Sequence, residues 1–267
     1  MLKYRILTAL VLLPLVVLLV LLAPTWVLAL VMGLVVLAAA WEWSSLSGET
    51  AELLKISRII LVAVLLYLLW LARWDFRILW TVALVALAWW LFATLWVSRW
   101  QWEFSRHVKL LCGLLTLVPA WLATVALHES SHGPAKLLFL LVLIWVTDIA
   151  AYFTGRAFGR HKLAPAVSPG KTWEGVAGGS LAMLVVALLG VWWVLPTAGY
   201  FLILICVLTG WLSIVGDLSE SLFKRQAGVK DSGRLFPGHG GVLDRIDSLT
   251  VAVPVFWIGM ELLERLR

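Results

Sequence analysis

The chain has 267 residues, 63% of them hydrophobic and only 13% charged, where a soluble domain carries roughly 25% charge. With a mean hydropathy of +0.99, this composition excludes a water-soluble globular fold and calls for an all-α, polytopic helical integral membrane protein. In a soluble protein the net charge of +6 would raise nucleic acid as a partner. Here basic loops meeting anionic lipid headgroups account for it, and no basic and aromatic nucleic-acid platform is apparent.

Nine apolar stretches follow in chain order, at about 6–23, 25–42, 57–73, 78–97, 110–127, 137–154, 175–195, 200–217 and 247–263. The first follows Met1-Leu2-Lys3-Tyr4-Arg5, the start of a signal-peptide pattern. It ends at Pro24 without a small-x-small cleavage site and is read as a retained anchor. Only Pro24 and Thr25 separate it from the second stretch, so the pair forms a tight hairpin or a partial insertion, and eight spans is the alternative to nine. Glu42–Lys55 and Ser98–Lys109 read as polar or amphipathic connectors. Trp100, Trp102 and Phe104 suit a segment lying in the membrane interface. Cys112 and Cys206 sit inside apolar runs and suggest neither a disulfide framework nor a zinc site.

With nine spans and the N-terminus cytoplasmic, sixteen of the 21 Lys and Arg fall on the inside and five outside, in accord with the positive-inside rule. The chain then reads as a single membrane domain, 1–267. Residues 1–136 provide helices of scaffold character, and 137–267 provide the chemistry with two cytoplasmic loops, 155–174 and 218–246. This places an integral protein in the cell (plasma or inner) membrane with its active site toward the cytoplasm.

Charge is concentrated where it is least expected. Asp148 lies within the sixth stretch, Asp217 ends the eighth, and Asp244 and Asp247 open the ninth. Acids at membrane depth are costly and normally face a partner or a wet cavity. Four of them beside glycine-rich loops favour a divalent-cation site over isolated salt bridges, because magnesium takes carboxylate oxygens and bridges to phosphates. Asp148, Ala151, Tyr152, Gly155 and Gly159 share one helical face. Ser168-Pro169-Gly170-Lys171-Thr172 resembles the end of a Walker A loop but lacks its first glycine and a preceding strand. It is read as a turn delivering Lys171 to the start of a helix, where backbone donors favour an anion. Pro237-Gly238-His239-Gly240-Gly241 can turn tightly and bring amides to phosphate oxygens.

From Ser221 to Asp247 the chain carries Ser221, Lys224-Arg225, Lys230-Asp231, Pro237, His239-Gly240-Gly241, Asp244-Arg245 and Asp247. This pattern resembles the signature of the phosphatidate cytidylyltransferase (CDP-diacylglycerol synthase) family, and the block from Asp148 to Glu174 is similar to that family as well. The resemblance covers about the last half of the chain. It implies a multi-pass nucleotidyltransferase of phospholipid biosynthesis that converts CTP and phosphatidate to CDP-diacylglycerol and pyrophosphate with Mg2+ or Mn2+, with room for a second cation. It implies Asp217 and Asp244 as the main metal-binding carboxylates, with Asp148 and Asp247 as further candidates. The catalytic set would be Asp217, Asp244, Lys171 and Lys230. Ser168, Lys224, Arg225, Arg234, His239, Gly240, Gly241, Arg245 and Tyr152 would bind substrate. The expected partners are CTP, phosphatidate and the bilayer, with a homodimer compatible. Weighed against this are a CTP-dependent polyprenol or phytol kinase and, in a different class, a transporter of an anionic solute. The short, bland outer segments speak against the transporter.

Overall fold

The computed structural model describes residues 2–99, 101–194, 199–233, 235 and 240–266. Among the described residues nine α-helices run in order: α1 (Leu2–Leu22), α2 (Thr25–Leu46), α3 (Glu52–Leu71), α4 (Phe76–Ser98), α5 (Arg106–Glu129), α6 (Gly133–Phe158), α7 (Trp173–Leu189), α8 (Phe201–Gln226) and α9 (Leu243–Arg265). Eight of them, α2 to α9, are long and apolar enough to cross a membrane. Helices are the solution that lipid imposes, since each satisfies its own backbone hydrogen bonds. That also tolerates Pro119 inside α5 and Pro254 inside α9.

The expectation of an all-helical chain holds, with one local exception among the described residues. Between α6 and α7 a small antiparallel hairpin forms, β1 (Lys162–Ala164) with β2 (Ser168–Thr172). The strands are too short to carry a sheet, and the hairpin lies in a loop between spans.

Helices α5 and α9 are the most enclosed, and the rest wrap around them. Both ends of the bundle are tied by polar contacts. At one end His128 of α5 reaches the Val20 carbonyl and the Thr25 hydroxyl, each at 3.0 Å, which pins the turn between α1 and α2. There too Arg73 pairs with Glu129 at 3.5 Å, and Lys136 pairs with Glu264. At the opposite end Trp43 Nε1 donates to the Lys109 carbonyl at 2.8 Å. Trp43 and Trp96 both pack on Phe223, with ring centroids 4.7 and 4.6 Å apart. The α6–α7 hairpin and the α8–α9 loop share this second end: Arg225 Nε donates to the Val167 carbonyl at 3.3 Å.

Several helix ends differ from the sequence reading. Helix α8 runs on past Asp217 to Gln226, α6 continues to Phe158, and α9 begins at Leu243, so both loops are shorter than 218–246 and 155–174. Glu42 and Trp43 belong to α2 and are buried, not part of a connector. The reason is common to these positions. A charge ends an apolar pattern in the sequence, but a helix continues through it when the side chain finds a buried partner. Lys224, for example, meets Glu220 one turn earlier at 3.0 Å.

Candidate active site

Small residues set the site's geometry. In lipid, helices approach closely only where side chains are small. Gly155 and Ala151 of α6 lie against Gly175 and Gly179 of α7. Thr172 wedges in beside them, and its Oγ1 accepts from the Gly175 amide at 3.1 Å, capping α7. The residue before that cap is Lys171, so the end of β2 delivers this lysine to a helix N-terminus, in line with the sequence reading. On the other side Gly216 brings α8 onto α9: a Cβ there would stand 2.7 Å from the Asp247 carbonyl. Asp217, the next residue of α8, and Asp247 of α9 therefore line the same cavity.

The result is a cavity of about 340 Å³ lined by Asp148 and Tyr152 of α6, Lys171 of β2, Asp217 of α8, and Asp244, Asp247 and Ser248 of α9. Residues of α7 and Trp211 of α8 complete the wall. Trp211 Nε1 donates across it to Ser180 Oγ at 3.3 Å. Lys171 Nζ lies 2.6 Å from Asp217 Oδ2, and both side chains keep contact with solvent. Ser221 Oγ donates to Asp217 Oδ1 at 3.3 Å.

Asp244 is held more firmly. Its Oδ2 accepts from the Ser232 amide at 2.9 Å, the Gly241 amide at 2.8 Å and the Ser232 hydroxyl at 3.0 Å. Its Oδ1 faces Lys224 Nζ at 2.5 Å. The amide of Gly241 thus turns to a carboxylate of its own loop. Gly240, at φ +81, makes the turn that permits it, a backbone region that L side chains rarely adopt.

The other proposed residues are placed differently. Arg225 is exposed on the last turn of α8 and Lys230 is exposed beyond it, Ser168 is half-buried at the start of β2, and Arg245 is exposed on the first turn of α9. These lie around the site's end of the molecule without lining the described cavity wall. Tyr152 accepts from Arg156 Nη1 at 3.1 Å. Arg234 and His239 lie outside the described residues.

Charge around the cavity does not balance. Among the described residues the cavity wall carries Asp148, Asp217, Asp244 and Asp247 against Lys171, four carboxylates to one ammonium. Glu220 Oε2 is buried with no hydrogen-bond partner among the described residues. Glu220 lines a small neighbouring pocket rather than this cavity; it is the four cavity carboxylates facing one lysine that fit a divalent cation. Yet among the described residues no three acids, histidines or cysteines converge tightly enough to enclose a bare ion. Magnesium suits that arrangement: it is commonly held by one or two carboxylates and completes its shell with water and substrate phosphate.

Two residues that sequence reasoning missed belong to this site. Glu42 of α2 takes amides of α9, and Ser232 links it to Asp244. The signal for Glu42 was present, since a lone acid in an oily span is functional by default. Its position at the edge of a stretch made it look like a connector.

The fold and the cavity define a polytopic membrane protein that gathers acids and lysines at one end of its bundle, a setting for phosphate chemistry at the lipid surface. Sequence comparison makes this specific. The profile of the Cytidylyltransferase family matches residues 3–263, and the chain belongs to that family. A Pseudomonas aeruginosa protein named phosphatidate cytidylyltransferase is 44% identical over 284 residues, covering 96% of each chain. A Haemophilus influenzae protein of the same name is 38% identical over 283 residues, 96% of this chain and 97% of that one. A Brucella suis protein, also so named, is 47% identical over 130 residues, 49% of this chain and 48% of its own.

Proposed function

We propose that this chain is a phosphatidate cytidylyltransferase, an integral membrane enzyme that transfers CMP from CTP to phosphatidate. The observation that carries the reading is the cavity shared by Lys171, Asp217, Asp244 and Asp247, in a chain similar over nearly its whole length to proteins of that name.

The reaction joins two polyanions. An oxygen of the lipid phosphate attacks the α-phosphorus of CTP, a new P–O bond forms, and the bond to the β-phosphate breaks to release pyrophosphate. The lipid phosphate is the nucleophile, so no side-chain nucleophile is required. What the chain must supply is positioning and stabilisation of charge. Lys171, half-exposed on its strand end, exchanges Asp217 for a phosphate oxygen as the triphosphate arrives. Arg225, Lys230 and Arg245 at the same end attract both anions. Lys224 is committed to Glu220 and Asp244 and keeps those acids in place. Asp217 and Asp244, with Asp148 and Asp247 beside them, would hold Mg2+ or Mn2+, which when bound neutralises triphosphate charge and polarises the reacting phosphoryl group. The charged end faces the cytoplasm on this reading, as the distribution of Lys and Arg favours. A homodimer is compatible with it and not required.

The test is a purified-protein assay with CTP and phosphatidate that reads liponucleotide and pyrophosphate together. Equal amounts of both, abolished by chelation and restored by magnesium, are expected. Transfer of only the γ-phosphate to a lipid alcohol would replace this reading with a kinase.

A further inference from the structure

We propose that Glu42, in the second helix of the N-terminal half, is a positioning residue for the transfer reaction, acting through Ser232 and the first turn of α9 on Asp244. The proposal rests on the reading of the α8–α9 cavity as the cytidylyltransferase site.

Glu42 is 8% exposed, close to the end of α2. One oxygen, Oε1, accepts from the Val242 amide at 2.9 Å. The other, Oε2, accepts from the Leu243 amide at 3.0 Å and lies 2.8 Å from Ser232 Oγ. That hydroxyl is also 3.0 Å from Asp244 Oδ2. One hydroxyl proton therefore sits between two carboxylates, so the positions of Glu42 and Asp244 are coupled. The fit is close on both sides, since a Cβ at Gly233 or Gly241 would overlap the Glu42 carboxylate.

A helix N-terminus needs acceptors for its first amides, and a neighbouring Ser, Asp or Asn ordinarily provides them. Here Val242 offers no side-chain cap. The acceptor comes from a residue 200 positions away, and its charge lies at the positive end of the helix dipole. Next to it, Trp43 bonds the Lys109 carbonyl and packs on Phe223, which anchors this part of α2 to α5 and α8. Glu42 thus transfers the rigid frame of the bundle to the loop and helix end that present Asp244. A cap serving α9 alone would not also engage Ser232.

Glu42→Gln is the discriminating substitution. Whichever way the amide turns, one of its positions now offers a donor to an amide N–H. Misplacement of a reacting group by about 1 Å can cost on the order of 10²-fold in rate. The expected result is a kcat lowered roughly 10- to 100-fold with KM for CTP little changed. The protein should still fold, with a thermal midpoint in detergent lowered by no more than about 12 °C, too little to account for the loss of turnover at the assay temperature. Hydrogen exchange should be faster at Gly241–Ile246 but not in α4. Ser232→Ala should show the same pattern more weakly, and the double variant should lose less than the product of the two.

Wild-type kcat in Glu42→Gln would overturn the proposal. So would activity that falls only in proportion to folded protein, the mark of a purely structural cap. If Glu42→Gln does not fold, Ser232→Ala decides alone, and wild-type kcat with unchanged exchange there overturns it. If the wild-type protein does not turn over CTP and phosphatidate, the functional reading falls. The exchange measurement then still judges the link from Glu42 to α9, and unchanged exchange refutes it.

Discussion

Two lysines pair with acids beside the same cavity, and the structure assigns them opposite roles. Lys224 is buried: its side chain is 11% exposed, and those of its partners Glu220 and Asp244 are 4% and 9%. Lys171 and Asp217 are 26% and 32% exposed. Replacing Lys224 with Met strands two buried carboxylates. Breaking a buried pair costs about 3–5 kcal/mol, and each kcal/mol moves the midpoint of a chain near this size by about 2–4 °C, so a fall of roughly 6–20 °C is expected. Replacing Lys171 with Met removes a half-solvated pair worth about 0–1 kcal/mol, a shift of no more than about 4 °C. Turnover should nevertheless be lost in Lys171→Met, because the proposed mechanism has this lysine meet the phosphate. The assay is the fraction of detergent-solubilised protein that stays monodisperse after heating, read beside turnover of CTP with phosphatidate. The reasoning fails if Lys224→Met keeps a wild-type midpoint, or if Lys171→Met destabilises as much as Lys224→Met does.

Gly216→Ala should cost about 1–3 kcal/mol and reduce turnover, because the new methyl would stand 2.7 Å from the Asp247 carbonyl and push α8 off α9; thermal midpoint and kcat check it. Cysteines placed at Ala166 and Val229 should be protected from an impermeant reagent in intact cells, while one at Ser131, at the opposite end of the bundle, should react. Native Cys112 and Cys206 are buried and should stay silent. In the α2–α3 loop, burial alone would raise the Glu49 carboxyl, but the Ala51 amide and then Arg58 and Arg106 outweigh it and hold its pKa below the usual 4.5. A depressed acid stabilises fully above its unfolded pKa and loses that contribution as pH falls through the folded value. Wild-type stability should therefore decline below pH 4.5 in a way that Glu49→Gln flattens, as thermal midpoints across acid pH will show.

The spans were legible in the sequence because lipid leaves the backbone one solution, and a run of apolar residues long enough to cross declares itself. The acids Asp148, Asp217, Asp244 and Asp247 were legible for the converse reason: a carboxylate in such a run is costly unless it has a purpose. Lys171 at the start of a helix could be read from the turn residues before it. Other features were decided only by the folded chain. Helix α8 passes through Lys224 because Glu220 and Asp244 neutralise it there, and no local pattern announces a partner from another helix. Lys224 and Lys171 look alike in sequence, yet burial makes one a strut and leaves the other free to exchange partners. Glu42 reads as the edge of an oily stretch until the bundle closes and the amides of α9 arrive against it. Periodicity and composition report the surroundings of a residue within a turn or two along the chain. A contact made across 200 residues is set by how the helices pack, and that is what brings Glu42 to the helix end that carries Asp244.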